Sequence, residues 1–409
     1  MAEEPAPSPP SPAAPVRSPG FTGRMWWVAV LYFAEGFPYG VFLEVWSVYF
    51  RSHGVSLKEI GLMALLGMPW TVKPLWAPLV DRYGDRRVWI AVCLLVLAVL
   101  LALHPLFDAS HPSTVFWGVL LLFTMASATQ DIAIDAHTIA ILPKEEVGAA
   151  NGIRVAAYRV AMIASGGGIV VGAGVFGWRR MWFASAALLA LLAPVILRAP
   201  AAELRREERR RFFKPLADWL AKPGAAAAVA FLLLYKLGDQ AITPMIKPFW
   251  VDRGLTLKEI GLISTTLGIL FTILGALLGG FLTTRWGLLR ALFIFGIAQV
   301  LPNLGYAACA ALSAGRPAIY AASVLESFGQ GLGTACFLTF MMRLCDKEHA
   351  ATQYALISAL FSLSRHVAGA ASGFAASRFG YAPFFAYTFL LAIPGLLLIP
   401  FLRRRLAEA

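Results

Sequence analysis

The chain has 409 residues, of which 59% are hydrophobic and only 14% are charged, and its formal net charge is +12. A soluble globular domain carries about a quarter charged residues, so this composition excludes an ordinary soluble protein and indicates a membrane protein. Residues 1–24 come first, with seven prolines among the first twenty. This composition predicts a disordered, Pro-rich cytoplasmic tail, without the apolar core of a cleavable signal peptide.

Long apolar runs recur after the tail, each close to the twenty residues that cross a hydrocarbon core of about 30 Å. They predict an all-α polytopic membrane protein with twelve transmembrane helices, with the junction of the fifth and sixth at a tight turn near Gly177. The chain then divides into an N-terminal six-helix bundle (25–199), a basic cytoplasmic linker (200–223) and a C-terminal six-helix bundle (224–409). The predicted spans are 26–50, 57–80, 88–106, 113–142, 149–177, 179–199, 224–250, 256–282, 288–311, 315–342, 351–376 and 380–402.

The positive charge is distributed unevenly between the predicted loops. If both termini are cytoplasmic, most of the 35 Lys and Arg residues fall on the cytoplasmic side, as the positive-inside rule requires. The charge therefore orients the protein in the bilayer and does not indicate a nucleic-acid partner. The linker ELRREERRRFFKPLADWLAKPG (203–224) is predicted to lie on anionic headgroups, with a regulatory site as the alternative.

The two halves of the chain resemble each other. GVSLKEIGL begins at Gly54 and GLTLKEIGL at Gly254, and LPKEE (142–146) corresponds to LCDKE (344–348). Six predicted crossings separate the two nonamers, so both lie on one side and the halves are parallel repeats. Each nonamer contains the S/T-x-x-E pattern of a helix capping box, which favours a structural role over direct contact with substrate.

Twelve acidic or basic residues lie inside predicted spans. Exposing each to lipid costs about 3 kcal/mol, so they are expected to pair or to line an aqueous cavity. Arg154 and Lys247 lie near span ends and could instead reach the interface with their long side chains. The twelve are Glu35, Glu44, Lys73, Asp131, Asp135, Arg154, Arg159, Lys236, Asp239, Lys247, Glu326 and Arg365.

Proton coupling requires a buried carboxylate whose charge is linked to conformation. The candidates are Asp131, Asp135, Asp239, Glu326 and Glu35. Candidates for the substrate cavity or for charge pairs are Lys73, Gln130, Arg159, Lys236 and Arg365.

Position along the helices refines these groups. Lys73, Asp135 and Arg159 are predicted at similar depth, and Asp131 shares a helix face with Asp135. The pair of Lys236 and Asp239, three residues apart, fits an internal ion pair or a binding site. Glu35 precedes a Gly–Pro break that is expected to interrupt the first helix at mid-membrane. Arg159 and Arg365 fit either buried salt bridges or charge pairs that exchange partners during gating.

Other motifs indicate packing or exclude chemistry. Gly329-x-Gly331-x-Gly333 and Gly275-x-x-x-Gly279 lie inside predicted spans and favour close helix packing. No P-loop is present, which disfavours ATP-driven transport. No metal-ligand spacing, zinc site, disulfide framework or nucleophile–base arrangement is evident, so neither a metal, a cofactor nor an enzyme is predicted. His137 and His366 could relay protons, although packed positions are favoured.

DRYGDRR (81–87) is similar to the major facilitator signature G-x-x-x-D-R-x-G-R-R, with Ala77 where its first glycine is expected. In that family the loop ties the cytoplasmic ends of helices together in one state of the transport cycle. The resemblance therefore assigns a cytoplasmic gate to Asp81, Arg82, Gly84, Arg86 and Arg87.

Longer stretches resemble one branch of that family, which contains the AmpG-type anhydromuropeptide permeases and the acetyl-CoA transporters. They include GLMALLGMPWTVKPLWAPLVDR (61–82), ATQDIAIDA (128–136), YKLGD (235–239) and ESFGQGLGTACF (326–337). The resemblance implies a cytoplasmic-membrane permease that imports N-acetylglucosaminyl-1,6-anhydro-N-acetylmuramyl peptides with protons. Glu35, Glu44 and His137 depart from the family pattern.

Alternatives remain open at this point. A transporter with the same fold could carry a different cargo: acetyl-CoA or another acyl-CoA, a peptide or a drug-like anion. A different functional class is the second alternative, either a non-transporting sensor or a membrane-embedded enzyme. The expected partners are a small-molecule substrate, protons and the lipid bilayer, and a monomer is favoured.

Overall fold

The computed structural model describes residues 20–82, 84–143, 146–201, 224–344 and 350–402, and the regular secondary structure in these ranges is helical. Most of the predicted tail (1–19), most of the basic linker (202–223) and part of LCDKE (345–348) lie outside the described residues. The side chain of Asp81 lies outside them as well.

In the N-terminal half, several helices depart from regular α geometry. The first helix, α1, contains a π-helical segment at Val41–Val45, and the fifth, α5, contains one at Ile163–Gly168. The second helix, α2, includes 3-10 turns at Met63–Gly67 and Lys73–Leu75. The helices are α1 (Phe21–Ser52), α2 (57–82), α3 (Arg86–Leu106), α4 (Thr114–Ile141), α5 (147–176) and α6 (Trp178–Ile196).

In the C-terminal half, α7 is broken by a turn at Tyr235–Lys236, and α8 contains a π-helical segment at Ile260–Leu267. In the described part of the chain, nine helices are long and apolar enough to cross a membrane; α2, α10 and α11 are the other three helical stretches. The helices are α7 (Ala225–Asp252), α8 (Leu257–Trp286), α9 (Leu288–Ala311), α10 (Arg316–Arg343), α11 (Ala350–Phe379) and α12 (Tyr381–Phe401).

Both repeated nonamers begin a helix as predicted. The Ser56 hydroxyl accepts a hydrogen bond from the Glu59 N–H (3.3 Å), and the Thr256 hydroxyl accepts one from the Glu259 N–H (3.2 Å). In each case the glutamate side chain bonds back to the cap residue, which completes a capping box. The predicted tight turn between α5 and α6 is also present, at Gly177 with φ of +83°.

The predicted interruption of α1 near Glu35 is wrong. Helix α1 continues through Pro38 and widens into its π-helical segment only afterwards. Proline has no N–H to bond the carbonyl four residues earlier, which here belongs to Ala34. Gln130 of α4 donates its side-chain amide to that carbonyl (3.0 Å), so a neighbouring helix supplies the missing hydrogen bond.

The glycine motifs pack helices together within the C-terminal half, as predicted. A Cβ on Gly331 would strike the Thr272 carbonyl of α8, and one on Gly275 would strike the Phe328 carbonyl of α10. Only glycine allows backbones to approach so closely. Helices α8 and α10 therefore form a rigid pair on one side of the bundle.

The two halves contact each other mainly through three helix pairs, α1 with α7, α2 with α11 and α5 with α8. In these pairs the contacts use residues 46–72 and 163–176 of the first half, and residues 237–267 and α11 of the second. All lie toward the end that carries the 53–56 and 253–256 turns, which we name the closed end. Gly61 of α2 meets Gly373 of α11 there, backbone against backbone.

Candidate functional site

A cavity of about 780 Å³ lies between the two halves. Its wall contains every one of the twelve charged residues that the sequence places inside spans, together with polar and aromatic side chains from both halves. The free-energy cost of placing these charges in the membrane is therefore reduced, because a charge beside an aqueous cavity does not face lipid. A volume of this size is typical of small-molecule sites.

The N-terminal wall of the cavity is a cluster of carboxylates and cations. Lys73 of α2 forms an ion pair with Asp131 of α4. The carboxyl group of Glu35 in α1 faces that of Asp131, and its Oε2 is buried without a hydrogen-bond partner among the described residues. Two carboxyl groups and one ammonium group thus share this part of the wall.

Asp135 lies one helical turn from Asp131 and has separate partners. It accepts a hydrogen bond from the Tyr32 hydroxyl (2.6 Å) and forms an ion pair with Arg154 of α5 (3.1 Å). The Arg154 guanidinium also lies 4.5 Å above the Tyr32 ring. Sequence analysis missed Tyr32, because an aromatic residue in an apolar helix resembles an ordinary core residue.

The C-terminal wall carries the internal ion pair predicted as one reading of YKLGD. Lys236 Nζ lies 3.0 Å from Asp239 Oδ2, and their side chains are only 4% and 5% exposed. The turn that breaks α7 at this point directs Lys236 to the Thr334 hydroxyl of α10 (3.0 Å). Glu326, also in α10, accepts a hydrogen bond from Gln330 (3.3 Å) but makes no ion pair within the described ranges.

Arg154 and Lys247 do not extend to the interface as their positions near span ends suggested. Lys247 of α7 pairs with Glu44 of α1, across the two halves, and Arg154 pairs with Asp135. The π-helical segment of α1 contains Glu44. Because a carboxylate lies within reach inside the cavity, pairing replaces exposure at the headgroups.

Gln130 does not line the cavity, contrary to its assignment among the cavity and charge-pair residues. Its side chain is fully buried and donates a hydrogen bond to the Ala34 carbonyl, which receives none from Pro38. His366 is packed against Gly67 of α2, and the His137 ring is fully buried in α4. Both histidines therefore occupy packed positions, as favoured, although His366 also lines the cavity.

The loop 81–87 holds α3 against its neighbours within the first half. Arg86 donates to the Ala136 carbonyl of α4 (3.0 Å), and Arg87 donates to the Ala199 carbonyl after α6 (2.9 Å). Asp85 caps α3 by accepting from the Arg87 N–H (2.9 Å), and hydrogen bonds from the Arg87 guanidinium lower the pKa of the Asp85 carboxyl. Sequence analysis gave Asp85 no role. Gly84 has φ of +75°, which turns the chain sharply.

A second ion pair joins the halves at the closed end, and we name it the latch. Arg51 of α1 donates Nε and Nη2 to the two carboxylate oxygens of Asp252 in α7, both at 2.6 Å. The Tyr381 hydroxyl of α12 adds a hydrogen bond to the same carboxylate (2.7 Å). Bidentate geometry makes such a pair specific as well as attractive.

We expect Asp252→Asn to increase the population that is open at the closed end by about fivefold. The latch is partly exposed, so its net contribution is about 1 kcal/mol after solvent screening. This population can be measured by double electron–electron resonance between spin labels at His111 and Leu312, which are exposed residues of the two halves. The double variant R51D/D252R restores the attraction and is expected to restore the closed distance. An unchanged distance distribution in Asp252→Asn would show that the latch does not hold this end.

Comparison with known proteins places the fold. The family model of the Major Facilitator Superfamily matches residues 28–237 and again residues 228–408. The anhydromuropeptide permease of Escherichia coli K12 is 33% identical over 388 residues, which cover 92% of this chain and 79% of that protein. The putative transporter AmpG 4 of Rickettsia conorii is 26% identical, covering 93% of this chain and 97% of its own.

Two solved structures share the fold at lower identity. A bacterial homologue of the human lysosomal transporter Spinster, in an inward-facing and unoccupied conformation, superposes with a TM-score of 0.76 at 15% identity and covers 95% of this chain and 98% of its own. The nucleoside transporter NupG superposes with a TM-score of 0.74 at 17% identity, covering 92% and 98%.

The family identifies a secondary transporter and not an enzyme, and places the chain in the bacterial inner membrane as a multi-pass protein. The repeated halves, the charged cavity between them and these matches lead to one conclusion: the chain belongs to the major facilitator superfamily, in the branch of the anhydromuropeptide permeases.

Proposed function

We propose that this protein is a proton-coupled symporter that imports anhydromuropeptides for cell-wall recycling by alternating access. The observation that carries the proposal is the single cavity that collects all twelve intramembrane charges between two repeated halves. The relative named anhydromuropeptide permease, which matches 92% of the chain, supports the cargo. A disaccharide linked to a peptide has hydroxyl, amide and carboxylate groups, and the cavity offers partners for each.

The facing carboxyl groups of Glu35 and Asp131 are the proposed proton site. Two carboxyl groups at close range cannot both hold a negative charge without strong repulsion, so such a pair binds a proton readily. Lys73 pairs with Asp131, and its position depends on whether that carboxylate is charged. Protonation would thus change the link between α2 and α4, and Asp135, Asp239 and Glu326 are the further candidates on the same cavity.

The proposed topology has twelve spans, with both termini in the cytoplasm and the closed end in the periplasm. Helices α2, α10 and α11 complete the twelve, and each carries charged residues that line the cavity: Lys73, Glu326 and Arg365. The units are the bundles 25–199 and 224–409, joined by the linker 200–223. We propose the monomer as the working unit.

The proposed gates lie at opposite ends. At the closed end, the latch and the α2–α11 and α5–α8 contacts separate the cavity from the periplasm. At the cytoplasmic end, the loop with Asp81, Arg82, Gly84, Arg86 and Arg87 is proposed to tie the halves in the outward-facing state. In the described conformation, Arg87 donates to a carbonyl of its own half, which fits a released gate.

Entrance counterflow tests the cargo independently of proton coupling. Proteoliposomes are loaded with unlabelled disaccharide tripeptide and diluted into labelled disaccharide tripeptide, and the expected result is transient label uptake above that of empty vesicles. If the E. coli permease exchanges label in matched vesicles and this protein does not, the cargo assignment is wrong. Acetyl-CoA, peptides and drug-like anions would then be tested in the same assay.

A further inference from the structure

Two arginines remain without carboxylate partners in the cavity. Of the six lysines and arginines that line it, Lys73, Arg154, Lys236 and Lys247 each form an ion pair. Arg159 and Arg365 form none among the described residues: Arg159 contacts only the sulfur of Met162 (3.8 Å), and Arg365 only the Tyr39 hydroxyl (3.1 Å) and the Phe361 ring. Both side chains are partly exposed and line the cavity, so the two guanidinium groups are accessible to an anionic ligand there.

The two arginines occupy corresponding places in the repeat. RVAMIASG begins at Arg159 in α5, and RHVAGAASG begins at Arg365 in α11. One arginine therefore comes from each half. Tyr39 contacts the segment of each: its hydroxyl accepts a hydrogen bond from Arg365, and its ring lies 6.0 Å from that of Tyr158, the residue before Arg159.

Aromatic rings line the cavity beside this pair. The Tyr39 ring meets Trp70 edge-on at 5.1 Å, and Phe42 lies 5.3 Å from Trp70. With Tyr158 they form a surface that we name the aromatic wall; all four line the cavity and are partly exposed to it. Such rings offer flat apolar contact together with polar tips, which suits the faces of a ligand ring.

We propose that Arg159 and Arg365 form an anion site that binds a carboxylate of the cargo, while the aromatic wall contacts its sugar rings. This rests on the proposed function and deepens it, because it makes the negative charge of the muropeptide a condition of recognition. Guanidinium groups bind carboxylates through two parallel hydrogen bonds. Because one arginine belongs to each half, a bound carboxylate links α5 to α11 and favours closure of the halves around the ligand.

The test measures binding to purified protein in nanodiscs by isothermal titration calorimetry. Three probes are used: the disaccharide tripeptide, the same compound with every carboxylate converted to a carboxamide, and acetyl-CoA. Wild-type protein is compared with R159Q, R365Q and the charge-retaining R159K and R365K. R378Q is the matched control, since Arg378 is an exposed residue of α11 outside the cavity. Size-exclusion profiles and thermal unfolding show which variants are folded.

The expected result is that wild-type protein binds the acid about 10- to 100-fold more tightly than the carboxamide, as a charge-assisted hydrogen bond provides. R159Q and R365Q lose that preference without losing affinity for the carboxamide, the lysine variants keep part of it, and R378Q keeps all of it. A wild-type protein that binds acid and carboxamide equally, or glutamine variants that weaken both ligands equally, would overturn the anion site and leave the muropeptide cargo in place.

The remaining outcomes separate the two proposals. Binding of acetyl-CoA that depends on both arginines, without binding of the muropeptide, would refute the cargo and support the anion site. If the folded protein binds none of the three probes, both proposals fail.

Discussion

Asp131→Asn is expected to abolish proton-driven accumulation in proteoliposomes, so that the ratio of internal to external cargo falls to about one while counterflow continues. An amide cannot take up a proton, and Asp131 is the carboxylate that both faces Glu35 and pairs with Lys73. The variant therefore separates binding from coupling, because a carrier that only exchanges cargo needs no change of protonation.

Two further variants make this result specific. Asp131→Asn leaves Lys73 unpaired, which can itself reduce folding, so the double variant K73M/D131N removes both charges. It is expected to recover the yield of folded protein without recovering accumulation. Asp108→Asn, in an exposed loop, should accumulate cargo like the wild type. Full accumulation by folded Asp131→Asn would remove this residue from the coupling role.

Gly373→Val should reduce the transport rate at least tenfold, because it forces the two halves apart at the closed end. A Cβ at residue 373 would strike the Leu57 carbonyl oxygen and lie 3.0 Å from the Cα of Gly61. Overpacking of this kind costs about 1–3 kcal/mol, and the protein avoids it by opening at this end, which shifts the population by about 5- to 150-fold. Labels at His111 and Leu312 are expected to move several ångströms further apart.

The matched control for Gly373→Val is Gly280→Val, since a side chain at Gly280 meets nothing within 4 Å. It should transport and close normally. Gly331→Val offers a contrast, because its contact with Thr272 lies within one half. That change is expected to lower folding yield instead of opening the closed end. A Gly373→Val protein that closes and transports normally would show that the α2–α11 contact is not the outer gate.

The sequence was sufficient to predict an all-helical membrane protein with repeated halves, because apolar length and repetition can be read directly from the chain. The capping boxes at Ser56 and Thr256, the turn at Gly177 and the close packing at Gly331 were all predicted correctly. The cost of charge in lipid also identified the twelve residues that line the cavity. Each of these inferences requires only a short sequence segment and the knowledge that the segment lies in a lipid bilayer.

Partner choice could not be predicted in the same way, because it depends on how helices distant in sequence approach one another. Lys247 pairs with Glu44 only because α1 and α7 meet at the closed end. Gln130 donates a hydrogen bond to the Ala34 carbonyl of α1, because Pro38 has no N–H to do so. The aromatic wall and the latch likewise combine separate helices, and no single helix shows either pattern.

Accumulation of labelled disaccharide tripeptide against its concentration gradient is the most direct test of proton-coupled import. Proteoliposomes with a neutral interior are diluted into acidic medium, and uptake is measured with and without a protonophore. The predicted result is an internal concentration above the external one, with a matching rise in external pH, and both are lost when the protonophore is added. Equal uptake with and without the gradient, in vesicles that show robust counterflow, would contradict coupling and identify a facilitator.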